Sequence, residues 1–280
     1  MEYTLNIRGR LVGLDEPQVM GILNATPDSF FADSRMQTEE AVAERTRRIL
    51  TEGGTMIDVG ACSTRPGAEV ATAEEEMARL RGALPVVQKT IEEVVRELNI
   101  VTPPIVSIDT FRPDVARMAV EEFGAEMVND VSEGTPEMFR MVARLGVPYI
   151  LTSVQPDLRG TLMAFATKVQ QLRDYGQKDI ILDPGFGFGK KLEDNYQLMN
   201  QLEKLQVMEL PLLVGVSRKT MIWKLLNCTP NEALNGTTVL NTIALMKGAS
   251  ILRVHDVREA EECIRITSSI RLSYKNRPSV

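Results

Sequence analysis

Short apolar runs in this chain end, one after another, at residues able to do chemistry. Val19–Leu23 stops at Asn24, Met56–Val59 leads to Ser63-Thr64-Arg65, and Ile105–Ile108 stops at Asp109. Met127-Val128 gives Asn129-Asp130, Ile180–Leu182 gives Asp183, Leu212–Val216 gives Ser217-Arg218-Lys219, and Ile251–Val254 gives His255. Asp109, Asn129 and Asp183 together offer two carboxylates and an amide. That set suits a flat, nitrogen-rich heterocycle, because a carboxylate pairs with the N–H donors of a 2-amino-4-oxo pyrimidine edge. Arg65, Lys219 and Arg253 form a candidate positive pocket for an anion, with Arg65 supplying the two-pronged geometry a phosphate accepts. Asn24 is a candidate oxygen ligand for a hard cation or a donor to a phosphate oxygen.

The elements that must position these residues follow from the runs themselves. They are too short for amphipathic helices and too continuous for a one-sided sheet, so they read as parallel strands covered on both faces. Strands are expected near 19–24, 55–60, 105–109, 126–130, 147–153, 179–183, 211–216 and 250–254. Helical patterns lie between them, the first opening at a capping segment Thr38-Glu39-Glu40. The others run near 73–97, 112–122, 135–145, 161–175, 192–206, 232–247 and 257–272. Alternating strand and helix at about 35 residues per unit predicts an α/β fold, a single (β/α)8 TIM barrel. A doubly wound sheet is the competing architecture, but it places chemistry after only one or two strands. Residues 3–12 alternate around Gly9 as a hairpin would. The reading is one domain over 1–280, with a hairpin in 1–16 closing the floor of a barrel in 17–275.

Bulk properties narrow the partners. A net charge of −6 lacks the basic face of a nucleic-acid or anionic-membrane binder, though local cations can still hold a small anion. No apolar run approaches the roughly 20 residues that span a bilayer. Cys62, Cys228 and Cys263 form neither a metal-ligand spacing nor a disulfide framework, which points to reduced thiols and the cytoplasm. Met1–Asn6 has no signal-peptide pattern. A nucleophilic role for Cys62 finds no histidine nearby in sequence.

The densest motif is Asp183-Pro184-Gly185-Phe186-Gly187-Phe188-Gly189-Lys190. Its glycines allow close backbone approach to a ligand, and its phenylalanines can offer ring faces. It lacks Walker-loop spacing. Ser217 and Lys219 follow the seventh strand, where barrels often bind anions. Arg253 and His255, the sole histidine, alternate along the eighth strand and so share a face.

Taken in order, Gly21–Phe30, Ser63–Glu69, Ser107–Thr110, Asn129-Asp130, Asp183–Lys190, Ser217–Lys219 and Arg253–Val257 closely resemble dihydropteroate synthase. The resemblance implies condensation of 6-hydroxymethyl-7,8-dihydropterin diphosphate with 4-aminobenzoate, giving dihydropteroate and pyrophosphate with Mg²⁺ assistance. It implies that Asp109, Asn129, Asp183 and Lys219 hold the pterin. Asn24, Thr64, Arg65, Arg253 and His255 would hold the diphosphate, with Asn24 beside the metal. Thr64, Pro66, Phe188, Ser217 and Lys219 would shape the aminobenzoate pocket, which is also the sulfonamide pocket. Asp109, Lys219 and Arg65 would carry catalysis behind two lid loops, in a homodimer.

Three departures stand out. The family's Phe-Ser-Asp-Gly-Gly is here Phe30-Phe31-Ala32-Asp33-Ser34-Arg35, which moves the loop aspartate one place later. Cys62 replaces a common glutamate, and Leu151–Gln155 replaces a Met-His-Met segment and receives no role. Two rival readings remain: a pterin-dependent methyltransferase domain, and a non-catalytic pterin- or sulfonamide-binding module. The Ser-Thr-Arg-Pro-Gly segment and Ser217-Arg218-Lys219 weigh against the first. Retention of Arg65, Asp109 and Lys219 weighs against the second.

Overall fold

The computed structural model describes residues 3–25, 35–62 and 70–275. It opens with an antiparallel hairpin of β1 (Thr4–Ile7) and β2 (Arg10–Gly13). Arg8 (φ 51°) and Gly9 (φ 85°) make the tight turn between them, both left-handed as such a turn requires.

Eight parallel strands follow: β3 (Gln18–Asn24), β4 (Met56–Gly60), β5 (Ile105–Asp109), β6 (Met127–Asp130), β7 (Tyr149–Thr152), β8 (Ile180–Asp183), β9 (Leu213–Val214) and β10 (Ile251–Val254). Their order in the sheet is β8-β7-β6-β5-β4-β3-β10-β9. A parallel bridge between Leu182 and Leu212 joins the two ends, so the sheet closes on itself. This is the expected barrel, with the hairpin as a separate two-stranded sheet.

Side chains alternate across each strand and build two cores. Val19, Leu23, Ile57, Val59, Ile108 and Val128 point outward beneath the helices. Met20, Met56, Ile105, Met127, Ile150, Ile181, Leu213 and Ile251, one from each strand, point inward and fill the lower barrel. Leu5, Ile7 and Leu14 join that inner cluster, so the hairpin stoppers the barrel floor.

The helices are α1 (Arg35–Thr51), α2 (Ala73–Leu98), α3 (Pro113–Phe123), α4 (Pro136–Leu145), α5 (Leu158–Asp174), α6 (Leu192–Asn200), α7 (Thr220–Leu225), α8 (Leu234–Met246) and α9 (Val257–Lys275). Sequence signals set several ends. Thr72 and Glu75 form a reciprocal capping box at the start of α2, Thr135 caps α4, and Asp157 caps α5. Gly124 and Gly146 close α3 and α4 in the left-handed conformation.

Several elements differ from the sequence reading, among them α5, which starts at Leu158 rather than 161, and β9, which is only Leu213–Val214. α1 starts at Arg35 rather than at the Thr38 segment, because Met36 and Gln37 are good helix formers and carry the helix further back. The helix expected over 192–206 breaks at Gln201 and continues as a 3₁₀ segment, Leu202–Met208. The six-residue α7 is too short to show a period and has no counterpart in the sequence reading.

Candidate active site

Alternation carries the inward face one step up each strand, and there it changes character. Above Met56 stands Asp58, above Ile105 Ser107 and then Asp109, above Met127 Asn129. Likewise Thr152 follows Ile150, Asp183 follows Ile181, and Arg253 follows Ile251. A polar layer therefore sits directly on an apolar one. Asp58, Ser107, Asn129, Thr152 and Asp183 are all buried.

Arg253 organises this layer. Its Nε donates to Asp58 Oδ2 at 2.6 Å and its Nη2 donates to Asp109 Oδ2 at 2.6 Å. Asn129 Nδ2 also donates to Asp58 Oδ2, at 2.8 Å. Burial alone would lower the Arg253 guanidinium, but the Asp58 and Asp109 carboxylates outweigh it and hold the group charged. Burial pushes the Asp109 carboxyl up to about 7 against the downward pull of Arg253. Burial likewise raises Asp183, opposed first by the Lys219 ammonium.

The sequence reading assigned Arg253 to an anion. The structure adds that its guanidinium already bridges two carboxylates, so it carries a structural load as well. Asp58 is the residue the sequence reading missed. A carboxylate inside an apolar strand, two positions after an inward methionine, was the available signal, because a buried carboxylate needs a partner.

The glycine loop after β8 is shaped by its own packing. Gly185 has φ 69°, and a Cβ there would lie 2.0 Å from the Ser153 carbonyl oxygen. Only glycine fits. Phe186, expected to show its ring to a ligand, is instead fully buried in the outer core. Phe188 stays half-buried with Lys219 Nζ 4.6 Å from its ring centre, a cation–π contact at the site. Lys219 Nζ also donates to the Phe186 carbonyl at 2.5 Å. Burial lowers both Lys219 and Lys190 to about 8, opposed in each case by Asp183. Lys190 is a second residue the sequence reading left without a role. It clamps the loop by donating to the carbonyls of Gly185 (2.9 Å) and Ser153 (3.1 Å).

At the rim, Ser217 Oγ accepts the His255 backbone N–H at 3.1 Å and lies 3.1 Å from His255 Nδ1. A neutral imidazole whose Nδ1 accepts the Ser217 hydroxyl proton carries its own proton on Nε2, ready to donate. Arg218 turns away: it forks onto Asp256 at 2.9 and 2.8 Å. Arg45 of α1 donates to the carbonyls of Ile22 and His255, tying the ends of β3 and β10 together.

Burial, and next the charge of Arg253, lower His255 to about 4. The unfolded chain takes up this proton near pH 6.5, the folded chain only near 4. The contribution of His255 to stability is therefore undiminished above pH 6.5 and falls between 6.5 and 4, while Asp109, raised by burial, contributes with the opposite sign over the same interval. NMR titration of the sole histidine should give a midpoint near 4. A titration midpoint near 6.5 would contradict the burial and cation environment described.

Asn24 ends β3, half-buried and in register with Gly60. It offers a single amide oxygen. Among the described residues no three acidic, cysteine or histidine side chains form a metal-binding group. Such a site fits a hard cation that arrives with most of its oxygen ligands on a diphosphate and water. Thr64, Arg65, Pro66 and Asp33 lie outside the described residues. The three cysteines are free thiols.

Comparison with known proteins agrees with this geometry. A family model described as "Pterin binding enzyme" matches residues 20–255. The chain is 35% identical to dihydropteroate synthase of Escherichia coli (strain K12), over 96% of this chain and 97% of that one. It superposes on Xanthomonas albilineans dihydropteroate synthase with 4-aminobenzoic acid at a TM-score of 0.83, 34% identity, covering 99% of this chain and 100% of that one. Yersinia pestis dihydropteroate synthase in a sulfonamide drug complex gives 0.80 and 35%, covering 97% and 100%. Barrel, polar layer and full-length similarity agree: the chain belongs to the pterin-binding enzyme family, among the dihydropteroate synthases.

Proposed function

We propose that this barrel joins 6-hydroxymethyl-7,8-dihydropterin diphosphate to 4-aminobenzoate in folate biosynthesis. One observation carries the reading. Asp58 Oδ1, Ser107 Oγ, Asn129 Oδ1 and Thr152 Oγ1 are buried with no hydrogen-bond partner among the described residues. Unpaired buried polar atoms are costly and uncommon, and four converging inside one barrel mark a place kept for a polar guest. With Asp109 and Asp183 beside them, that guest is a heterocycle rich in N–H and ring carbonyl groups.

In the reaction the displacement is dissociative: the carbon–oxygen bond to diphosphate breaks first, and the arylamine nitrogen then takes the cationic pterin methylene. Pyrophosphate leaves, and the new secondary amine gives up its extra proton. Positive charge builds on the methylene and pterin ring, and the Asp109 carboxylate stabilises that charge. Lys219 faces both the pterin and aminobenzoate sides, with Phe188 as an aromatic wall. Arg253, the His255 Nε2 proton and Asn24 serve the diphosphate, together with Thr64 and Arg65. Pro66 and Ser217 complete the aminobenzoate pocket. A bound Mg²⁺ would neutralise diphosphate charge next to Asn24. The amine attacks unaided once positioned, so no Ser–His or Cys–His pair is required.

No helix among the described residues is long and apolar enough to cross a membrane. A cytoplasmic home suits the free thiols. The exposed Val239, Met246, Ile266 and Ile270 of α8 and α9 give a second copy of the chain an apolar surface to dock on, and sedimentation of the intact chain tests that homodimer.

The deciding assay mixes the pterin diphosphate, 4-aminobenzoate and Mg²⁺ with the chain and follows pyrophosphate. Release is expected, with sulfonamides competing against 4-aminobenzoate. Pterin binding without release would overturn the synthase reading in favour of a binding module. Methyl transfer to a corrinoid acceptor would favour the methyltransferase reading.

A further inference from the structure

We propose that Thr152 touches the pterin, its hydroxyl bonding the ring edge that Asp183 also reads. The inference rests on the pterin reading above and extends it to the segment of the chain that departs from the family.

Three observations converge on this residue. First, Ile150 belongs to the inner cluster while Tyr149 and Leu151 belong to the outer one, so alternation points Thr152 into the barrel. Second, Thr152 is only 1% exposed, yet its Oγ1 has no hydrogen-bond partner among the described residues. Third, Thr152 pairs in register with Asp183 across β7 and β8, one strand spacing away.

The surrounding segment is otherwise satisfied. The Ser153 N–H donates to the Asp183 carbonyl at 2.9 Å, and the Ser153 carbonyl accepts from Lys190. Val154 N–H and Gln155 Nε2 both donate to Glu133 Oε1, at 2.9 and 3.0 Å. Strand end and turn are thus tied by hydrogen bonds to β8, Lys190 and Glu133, while the Thr152 hydroxyl stays unpaired among the described residues. A valine would fill the same volume in a strand without burying an unpaired oxygen. Packing therefore does not explain a threonine here.

A hydroxyl both donates and accepts, which suits the mixed edge of a 2-amino-4-oxo pyrimidine. Beside a carboxylate that can only accept, it can take a second ring N–H or give its proton to the ring oxygen. The family's Met-His-Met segment has no hydroxyl, so this contact belongs to the present chain.

The test is calorimetric titration of pteroic acid into the intact chain and into its Thr152→Val and Thr152→Ser variants. Loss of one buried hydrogen bond should weaken binding to Thr152→Val roughly ten-fold, with Thr152→Ser close to the parent. In the steady state KM for the pterin diphosphate should rise while KM for 4-aminobenzoate stays unchanged. Without ligand, Thr152→Val should unfold at the same temperature as the parent or higher, because an unpaired buried hydroxyl has been removed. Parent-like binding by Thr152→Val would overturn the contact, as would earlier unfolding of that variant, which would show the hydroxyl paired within the chain. If the parent itself binds no pteroic acid, the pterin reading falls and this inference falls with it.

Discussion

Asp109→Asn should lower kcat by about 10²- to 10³-fold, the cost typical of removing one well-placed charge-stabilising group. The substitution keeps shape and most hydrogen-bonding capacity but removes the negative charge proposed to stabilise the reacting methylene. Asp109 lies in register with Asn129 and Gly60 at the upper edge of the polar layer, nearer the mouth than Asp58. Asp58 would still hold Arg253 in place through its 2.6 Å contact, so the site should stay assembled and still bind pterin. The loss should therefore appear mainly in kcat. Cys62→Ala provides the control, with turnover within about two-fold of the parent, the scale of an ordinary substitution outside the chemistry. Equal losses in the two variants, measured as pyrophosphate release, would remove Asp109 from its catalytic role.

Arg253→Met should cost about 3–5 kcal/mol of stability, because it strands two carboxylates in the barrel interior. The Asp58 side chain is fully buried and that of Asp109 only 19% exposed. Against the roughly 5–15 kcal/mol that holds a typical domain, this loss is large. The variant should shift the urea midpoint without changing the slope. Adding Asp58→Asn to Arg253→Met should recover part of the loss, since one stranded charge is gone. Strict additivity of the two substitutions would show that the short contacts carry no coupling. The same variant removes a proposed diphosphate contact, so its catalytic loss needs to be read on protein shown to be folded.

Much of this molecule is legible in the sequence because period-two alternation writes both faces of each strand into it. The eight runs, the hairpin and the positions of Asp109, Asn129 and Asp183 all follow from that pattern. What escapes is what depends on pairing across the barrel. Asp58 sits in a run that reads as plain core, and its meaning comes from Arg253, 195 residues away. Phe186 and Phe188 look equivalent in the motif, yet the turn at Gly187 sends one into the outer core and leaves the other at the site. Ser217 and Arg218 read as a continuous anion site. The left-handed backbone at Arg218 (φ 54°) splits them, leaving Ser217 on His255 and Arg218 on Asp256. Thr152 reads as a departure without chemistry until its register with Asp183 is known.

The stoppered floor has an electrical consequence. Beneath the polar layer lie the eight inward apolar side chains and the hairpin's Leu5, Ile7 and Leu14, a medium of low permittivity. Field lines from the paired charges of the polar layer find little to polarise below them and are squeezed outward through the mouth. Across the outer surface, by contrast, the net charge of −6 is damped by salt within about 8 Å. A ligand at the opening therefore feels the individual charges of the layer with far less damping than it feels those of the outer surface.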